Sequence, residues 1–124
     1  MHYARWLFGV AALSNFAASA GLLFFRPLLA PIIRFDPASG TNLFFLYFTG
    51  ALIALFGFSY ARVAANPVRY RVYVPFSIMG KSLAVLCAYT AWIVGAVSWK
   101  IPALISMDVV FALLFLDFLR RTKT

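Results

Sequence analysis

Four long apolar runs, separated by short stretches that hold most of the charged residues, dominate the hydrophobic pattern of the chain. We place these runs at about 6–25, 42–61, 72–99 and 101–119. Each is close to the ~20 residues that an α-helix needs to cross the hydrocarbon core of a bilayer. None alternates apolar and polar residues as a membrane β-strand does. Because backbone inside a bilayer must satisfy its own hydrogen bonds, the pattern predicts four transmembrane helices.

The composition agrees with this pattern. The chain has 124 residues, of which 65% are hydrophobic and 11% are charged, and its mean hydropathy is +0.93. A soluble domain carries about a quarter charged residues, so this chain has too little polar surface to cover itself in water. We therefore predict an all-α integral membrane protein, a four-helix bundle that forms a single domain over residues 1–124.

The formal net charge of +8 indicates the orientation of the helices rather than a nucleic-acid partner, because the basic residues lie at the ends of the apolar runs and form no basic block. Four helices place both termini on one side of the membrane. That side carries seven basic residues, which are Arg5, Arg62, Arg69, Arg71, Arg120, Arg121 and Lys123. The other side carries three, which are Arg26, Arg34 and Lys100. The excess predicts a multi-pass membrane protein with cytoplasmic termini.

Aromatic residues fall near both predicted interfaces. Those on the cytoplasmic side are Tyr3, Trp6, Tyr60, Tyr70 and Tyr73, and those on the opposite side are Trp92 and Trp99. Tryptophan and tyrosine are enriched at membrane–water interfaces because their rings are amphipathic. Their positions therefore support the boundaries of the four runs.

Two segments permit alternatives. The first run contains LFGVAAL followed by Ala18-Ser19-Ala20, which is typical of a signal peptide and its cleavage site. The apolar run continues through GLLFF, so we interpret it as a retained helix. In the first loop, PLLAPIIRF (27–35) contains two prolines that prevent a long helix. This segment either lies flat at the outer interface or covers the mouth of the bundle.

Several kinds of chemistry are disfavoured by the scarcity of reactive side chains. Cys87 is the single cysteine and His2 the single histidine, so an internal disulfide, a His/Cys metal site and a Ser-His-Asp or Cys-His catalytic arrangement are not expected. We accordingly predict no metal, no cofactor and no catalytic residues.

A lysine in the middle of the apolar sequence SIMGKSLAV (77–85) is the main candidate for function. Lys81 lies roughly 14 Å inside the third run, and Asp108 lies roughly 16 Å from the cytoplasmic end of the fourth. Asn15 and Thr49 fall at similar depths on the first two runs. A lone charge at this depth costs ~3 kcal/mol or more. We therefore predict that Lys81 faces the bundle interior and pairs with Asp108, with Asn15 and Thr49 completing the hydrogen bonds.

Alternatives to a functional pair remain open at this point. If the third helix begins after Pro75, Lys81 is only about 8 Å deep and its side chain can extend to the interface. A true pair can also serve only to fix the register of the helices. Asp117 lies near the cytoplasmic end, one turn from Arg120 and Arg121, and we interpret it as part of an interfacial ion pair.

The chain resembles the DoxX-like group of small four-helix bacterial inner-membrane proteins. The matching pieces are GLLFFRP (21–27), YFTGALIALFGFSYARVAANP (47–67), Gly80-Lys81 and Asp108, so the resemblance covers nearly the whole chain. The group more often carries arginine and glutamate in place of Lys81 and Asp108. The resemblance implies an accessory subunit or partner protein, associated with respiratory or sulfur-oxidising quinol oxidase complexes or with redox homeostasis, and without a redox cofactor of its own.

Two functions are consistent with these features. The first is a non-catalytic accessory or assembly subunit, whose partners are the lipid bilayer and other membrane subunits or a second copy of the chain; small size and the lack of a cofactor motif favour it. The second is a small transporter or binder of a lipophilic or anionic ligand, which uses the Lys81–Asp108 pair and needs a cavity that reaches it. An enzyme is the third class, and beyond one Lys-Asp pair nothing in the sequence supports a reaction.

Overall fold

The computed structural model describes residues 2–29 and 40–122. The helices in these two ranges are α1 (His2–Phe24), α2 (Arg26–Leu29), α3 (Gly40–Ala65), α4 (Tyr73–Ile93), α5 (Lys100–Ile105) and α6 (Met107–Arg121). Four stretches are long and apolar enough to cross a membrane, namely α1, α3, α4 and the combined span Lys100–Arg121. The prediction of an all-helical chain with four helices of membrane-spanning length and composition is confirmed. The alternatives for PLLAPIIRF concern residues that lie mostly outside the described ranges.

The third span is shorter than the sequence predicted, because α4 ends at Ile93 and does not continue to Trp99. Gly95 adopts a φ of +80°, which is a left-handed conformation that glycine tolerates without steric cost. The N–H of Ala96 donates to the carbonyl of Ala91 at 2.8 Å, and the N–H of Gly95 donates to the carbonyl of Trp92 at 3.0 Å. These two bonds form a Schellman motif, which terminates the helix while the sequence remains apolar.

The fourth span is irregular in its first half, where α5 and α6 meet at Ser106. The Ser106 hydroxyl donates to the carbonyl of Pro102 at 2.7 Å, and the N–H of Val109 donates to the carbonyl of Ser106 at 3.0 Å. A bond between residues three apart tightens the helix locally, and a serine that bonds to the preceding turn often bends it. Asp108 is the second residue of α6 and lies within this tight turn, between Ser106 and Val109.

The helices pack as two pairs, α1 with α3 and α4 with α6. The pairs meet at the end of the molecule where α1 begins, α3 ends, α4 begins and α6 ends. The buried core lies there and consists of Ala4, Leu7, Phe8, Ala11, Ala12, Tyr60, Val63, Val74, Phe111, Phe115 and Phe118. The ring of Phe8 stacks on that of Phe115, with 4.5 Å between centroids, and meets the edge of Phe118. These aromatic contacts join the first helix to the last.

Small and polar residues bring α1 and α3 close together. A Cβ on Gly57 would lie 3.2 Å from the Cβ of Asn15, so glycine permits this approach of the two helices. The Ser19 hydroxyl donates to the carbonyl of Gly50 at 2.8 Å, and the Asn15 amide donates to the carbonyl of Ile53 at 3.1 Å. Close packing at glycines and hydrogen bonds between helices are the interactions that associate helices in lipid.

Positive charge is concentrated at the end of the molecule that holds the core. The Arg71 guanidinium donates to the carbonyl of Leu119 at 2.9 Å and to the hydroxyl of Thr122 at 3.0 Å, which ties the α3–α4 link to the end of α6. The basic residues at this end are Arg5, Arg62, Arg69, Arg71, Arg120 and Arg121, whereas the described residues at the other end include Arg26 and Lys100.

Candidate functional site

The two residues with opposite charge that the sequence singled out lie in contact. Lys81 projects from α4 and Asp108 from α6, and Lys81 Nζ lies 2.9 Å from Asp108 Oδ1. The Lys81 side chain is only 5% exposed, whereas that of Asp108 is 26% exposed. Lys81 is thus directed into the protein rather than toward a helix end, which removes the alternative in which its side chain extends to the interface.

Aromatic rings surround the Lys81 ammonium. Nζ lies 5.0 Å from the ring centroid of Phe111, 5.2 Å from that of Tyr60 and 5.9 Å from that of Phe115. Cations within about 6 Å of an aromatic face are attracted by its quadrupole, and this attraction grows when the cation is removed from water. The rings therefore compensate part of the cost of burying Lys81 and leave Asp108 as its only charged neighbour within salt-bridge distance in the described residues.

Tyr60 is a member of this site that the sequence did not identify. Its position near the end of the second run suggested an interfacial ring, but the side chain is 1% exposed and packs against Phe115, with 5.3 Å between centroids. Because α3 is apolar on every side, its sequence carries no signal for which face meets the other helices. Only the packing of α3 against the other helices shows that Tyr60 lies inside the protein.

The two neutral members of the predicted cluster do not join the pair. Asn15 donates its hydrogen bond to the backbone of α3, at Ile53. Thr49 is exposed, and its hydroxyl makes no hydrogen bond with the described residues. Equal depth along four helices does not fix the rotation of each helix about its axis. Here Asn15 is directed to the backbone of α3, and Thr49 is directed outward. The predicted four-residue arrangement is therefore reduced to Lys81 and Asp108.

A groove runs along the α4–α6 interface and reaches the pair. Its volume is about 320 Å³, and besides Lys81 and Asp108 it is lined by Ile78, Ser82, Val85, Val109, Ala112, Leu113 and Leu116. Asp108 accepts the Lys81 bond through Oδ1, and no described residue donates a hydrogen bond to its other oxygen, Oδ2. The groove thus combines apolar walls with a carboxylate oxygen that is open to a donor.

A hydrogen bond joins α4 to Ser106, the first residue of the tight turn that contains Asp108. The hydroxyls of Tyr89 and Ser106 lie 3.1 Å apart. Tyr89 lies four residues beyond Val85 and so continues the face of α4 that lines the groove. This contact links α4 to the junction of α5 and α6. It lies on one side of the Lys81–Asp108 pair, and Leu116 lies on the other side.

A second groove, of about 540 Å³, lies on the outside of the α1–α3 pair. Its only charged lining residue is Arg5, at the end of the groove, and the rest of its lining is Trp6, Gly9, Val10, Ala12, Leu13, Phe16, Ala61 and Ala64. No polar side chain lies part-way along this groove. A site that combines apolar walls with a central polar group is therefore found between α4 and α6.

The remaining titratable and metal-binding side chains of the described residues lie outside the two grooves. Asp117 Oδ2 lies 2.9 Å from Arg121 Nε, and both side chains are exposed, which agrees with the expected ion pair at this helix end. Cys87 is an exposed thiol. Within residues 2–29 and 40–122, no three His, Cys, Asp or Glu side chains are grouped as a metal site requires.

Comparison of the chain with models of known protein families, with curated proteins and with solved structures finds no match. The class is therefore defined by the fold itself. Over residues 2–29 and 40–122 the protein is all-helical, with four helices long and apolar enough to span a membrane, which is consistent with a multi-pass membrane protein.

Proposed function

We propose that this protein is a DoxX-like, four-helix-bundle protein of a bacterial inner membrane, with both termini in the cytoplasm, and that it serves as a non-catalytic accessory or assembly subunit of a larger membrane complex. A respiratory or redox complex is the type of assembly that the resemblance suggests. The distribution of arginine supports this orientation, because six of the basic residues in the described ranges lie at the end of the molecule that holds both termini.

The observation that carries the proposal is an exposed group of aromatic residues on α3, which we call the α3 aromatic patch. Its members are Phe44, Phe45, Tyr47 and Phe48, and each is more than half exposed. The rings of Phe44 and Phe48 are stacked, with 5.9 Å between centroids, and Phe45 meets Phe44 edge-on. Three of the four rings are therefore in mutual contact, and all four are exposed.

Such a surface suits association with another protein within lipid. Lipid tails are as apolar as the side chains of a helix, so helices associate in a bilayer through close packing rather than through the hydrophobic effect. Large rings with few rotatable bonds lose little conformational freedom on binding, and aromatic residues, phenylalanine included, are enriched at protein interfaces. The α3 aromatic patch provides four such rings, each of them exposed for packing against another helix.

Purification in mild detergent from the native host tests this role. We expect wild-type protein to bring down a defined set of larger membrane subunits in constant ratio. The variant Phe44→Leu/Phe48→Leu should lose them while keeping the fold. The control Phe24→Leu/Phe76→Leu makes the same chemical change at two exposed positions outside the patch and should retain them. Equal recovery of the subunits with both variants would remove the α3 aromatic patch as the carrier of the proposal.

A second candidate function, a binder of a lipophilic ligand, is favoured by the groove between α4 and α6. Intramembrane charge indicates a functional site by default, and a binder requires a cavity that reaches that charge. The groove of about 320 Å³ meets this requirement at Asp108. The two functions are compatible, since the groove and the α3 aromatic patch lie on different helices. A groove-filling variant such as Val109→Phe should therefore abolish ligand binding without releasing partner subunits.

A further inference from the structure

Of the two charged residues that line the groove between α4 and α6, the acceptor Asp108 is more accessible than the cation Lys81. Lys81 Nζ is covered by Asp108 on one side and by the rings of Tyr60 and Phe111 on others, and its side chain is only 5% exposed. Asp108 is the more accessible partner, with Oδ2 unengaged by any described donor. A ligand in the groove therefore meets a carboxylate oxygen first, which disfavours the anionic ligand that the sequence left open.

The charge of the pair restricts the ligand further. Lys81 and Asp108 together are neutral, so an anion would face the carboxylate without gaining the buried ammonium. A cation would place an extra, uncompensated charge in a largely apolar groove, where desolvation is costly. A neutral group with an O–H avoids both costs, because it donates a hydrogen bond and adds no charge. Hydrogen bonds to a charged acceptor are also stronger than those between neutral groups.

We propose that the α4–α6 groove binds a neutral lipophilic molecule whose hydroxyl group donates to Asp108 Oδ2. The apolar body of the ligand lies along Val109, Leu113 and Leu116, which line the groove toward the end of α6. From Asp108 to Leu116 this wall is about 12 Å long, since a helix rises ~1.5 Å per residue. Ser82 is exposed on the α4 wall and is the other polar residue, besides Lys81 and Asp108, that lines this groove. The inference deepens the second candidate function and rests on it.

Four probes of one chain length separate the chemistry of the head group from that of the apolar body. Radiolabelled 1-decanol, decane, decanoate and decylammonium are equilibrated with protein in lipid nanodiscs, and binding to empty nanodiscs is subtracted. We expect 1-decanol to bind about tenfold or more tightly than decane, as one hydrogen bond to a charged acceptor predicts. Decanoate and decylammonium should bind more weakly than 1-decanol.

Two pairs of variants make the test specific to the groove. Val109 lines the groove and its neighbour Val110 does not, while both are exposed. Val109→Phe should abolish binding, and Val110→Phe should leave it unchanged. The double variant Lys81→Met/Asp108→Leu removes both charges at once, so no unpaired charge is left to unfold the protein. It should bind decane and 1-decanol equally.

Each outcome has a distinct meaning. Preference for 1-decanol that is lost in the double variant supports the proposal. Binding of all four probes without preference, or preference for decanoate or decylammonium, overturns the hydroxyl ligand while leaving a lipophile binder intact. Binding of none of the probes by folded wild-type protein overturns the ligand and the second candidate function together. Binding that survives Val109→Phe places the ligand elsewhere and overturns its assignment to the α4–α6 groove.

Discussion

The Lys81 ammonium and the Asp108 carboxylate meet at 2.9 Å across the α4–α6 interface, but they face different surroundings. Lys81 is closed off by aromatic rings, with Phe111 the nearest at 5.0 Å. Asp108 opens into a groove of about 320 Å³. Lys81 is therefore held in place by packing, while Asp108 is accessible to a ligand in the groove. This asymmetry means that the pair can fix the helices and still offer a site.

Removing one member of the pair should destabilise the protein more than removing both. Lys81→Met and Asp108→Leu each leave one charge without its partner, and breaking a buried pair in this way costs on the order of 3 kcal/mol. In the double variant no charge is left unpaired, so its loss of stability should be clearly smaller than the sum of the two single losses. Unfolding midpoints in mild detergent for the four proteins complete the cycle.

Asp117 supplies the control for this cycle. It pairs with Arg121 at 2.9 Å, but both side chains are exposed, and exposed pairs contribute only about 0–1 kcal/mol. Asp117→Asn should therefore shift the midpoint little, where Asp108→Asn shifts it strongly. Single variants at Lys81 and Asp108 that are as stable as wild type, or whose effects simply add, would show that the pair does not hold α4 to α6.

The positions of the helices and the Lys81–Asp108 contact follow from local features of the sequence. Runs of about 20 apolar residues predict helices of membrane length without knowledge of the fold. Depth along two antiparallel helices then placed Lys81 and Asp108 in one layer, and opposite charges in an apolar setting have few other partners. The end of α4 at Ile93 was missed because Gly95 interrupts a run that stays apolar to Trp99.

The rotation of each helix could not be obtained in this way. Asn15 and Thr49 have suitable depth, yet Asn15 bonds to Ile53 on α3 and Thr49 is exposed. Tyr60, which contacts Lys81, lies on a helix that is apolar all round, so the period of 3.6 residues carries no information about its buried face. The groove also depends on the separation of α4 and α6, which is a property of packing and not of either helix alone.

Two glycine-to-alanine substitutions should have opposite effects. A Cβ on Gly80 would lie 2.7 Å from the Phe56 ring, so Gly80→Ala must displace that ring and the α3–α4 contact. A Cβ on Gly9 would meet nothing within 4 Å. Gly9→Ala should therefore stabilise the protein by up to ~1 kcal/mol through helix propensity, while Gly80→Ala should destabilise it, by about 1–3 kcal/mol. Thermal unfolding of both variants measures the difference, and a gain at Gly80 would contradict the tight contact.

Substitution at the end of α4 tests whether the Schellman motif defines that end. Gly95 has a φ of +80° and open space around the position of a Cβ, so any penalty arises from the backbone alone. Gly95→Val should cost about 1–2 kcal/mol, since a β-branched residue is strained at positive φ. Gly95→Asn is the matched control and should cost less, because asparagine tolerates this conformation. Equal unfolding midpoints for the two variants would mean that α4 does not depend on this turn.

The orientation in the membrane can be tested with single cysteines in a Cys87→Ser background. Val68 and Ser98 are exposed and lie in the links at opposite ends of the molecule. Because the arginine-rich end should face the cytoplasm, we expect Ser98→Cys to react with a membrane-impermeant maleimide in intact spheroplasts, and Val68→Cys to react only after the membrane is opened. Both variants should react in detergent, which controls for accessibility of the thiol. The reverse pattern would place the termini outside, and labelling of both cysteines in intact spheroplasts would mean that no membrane separates the two links.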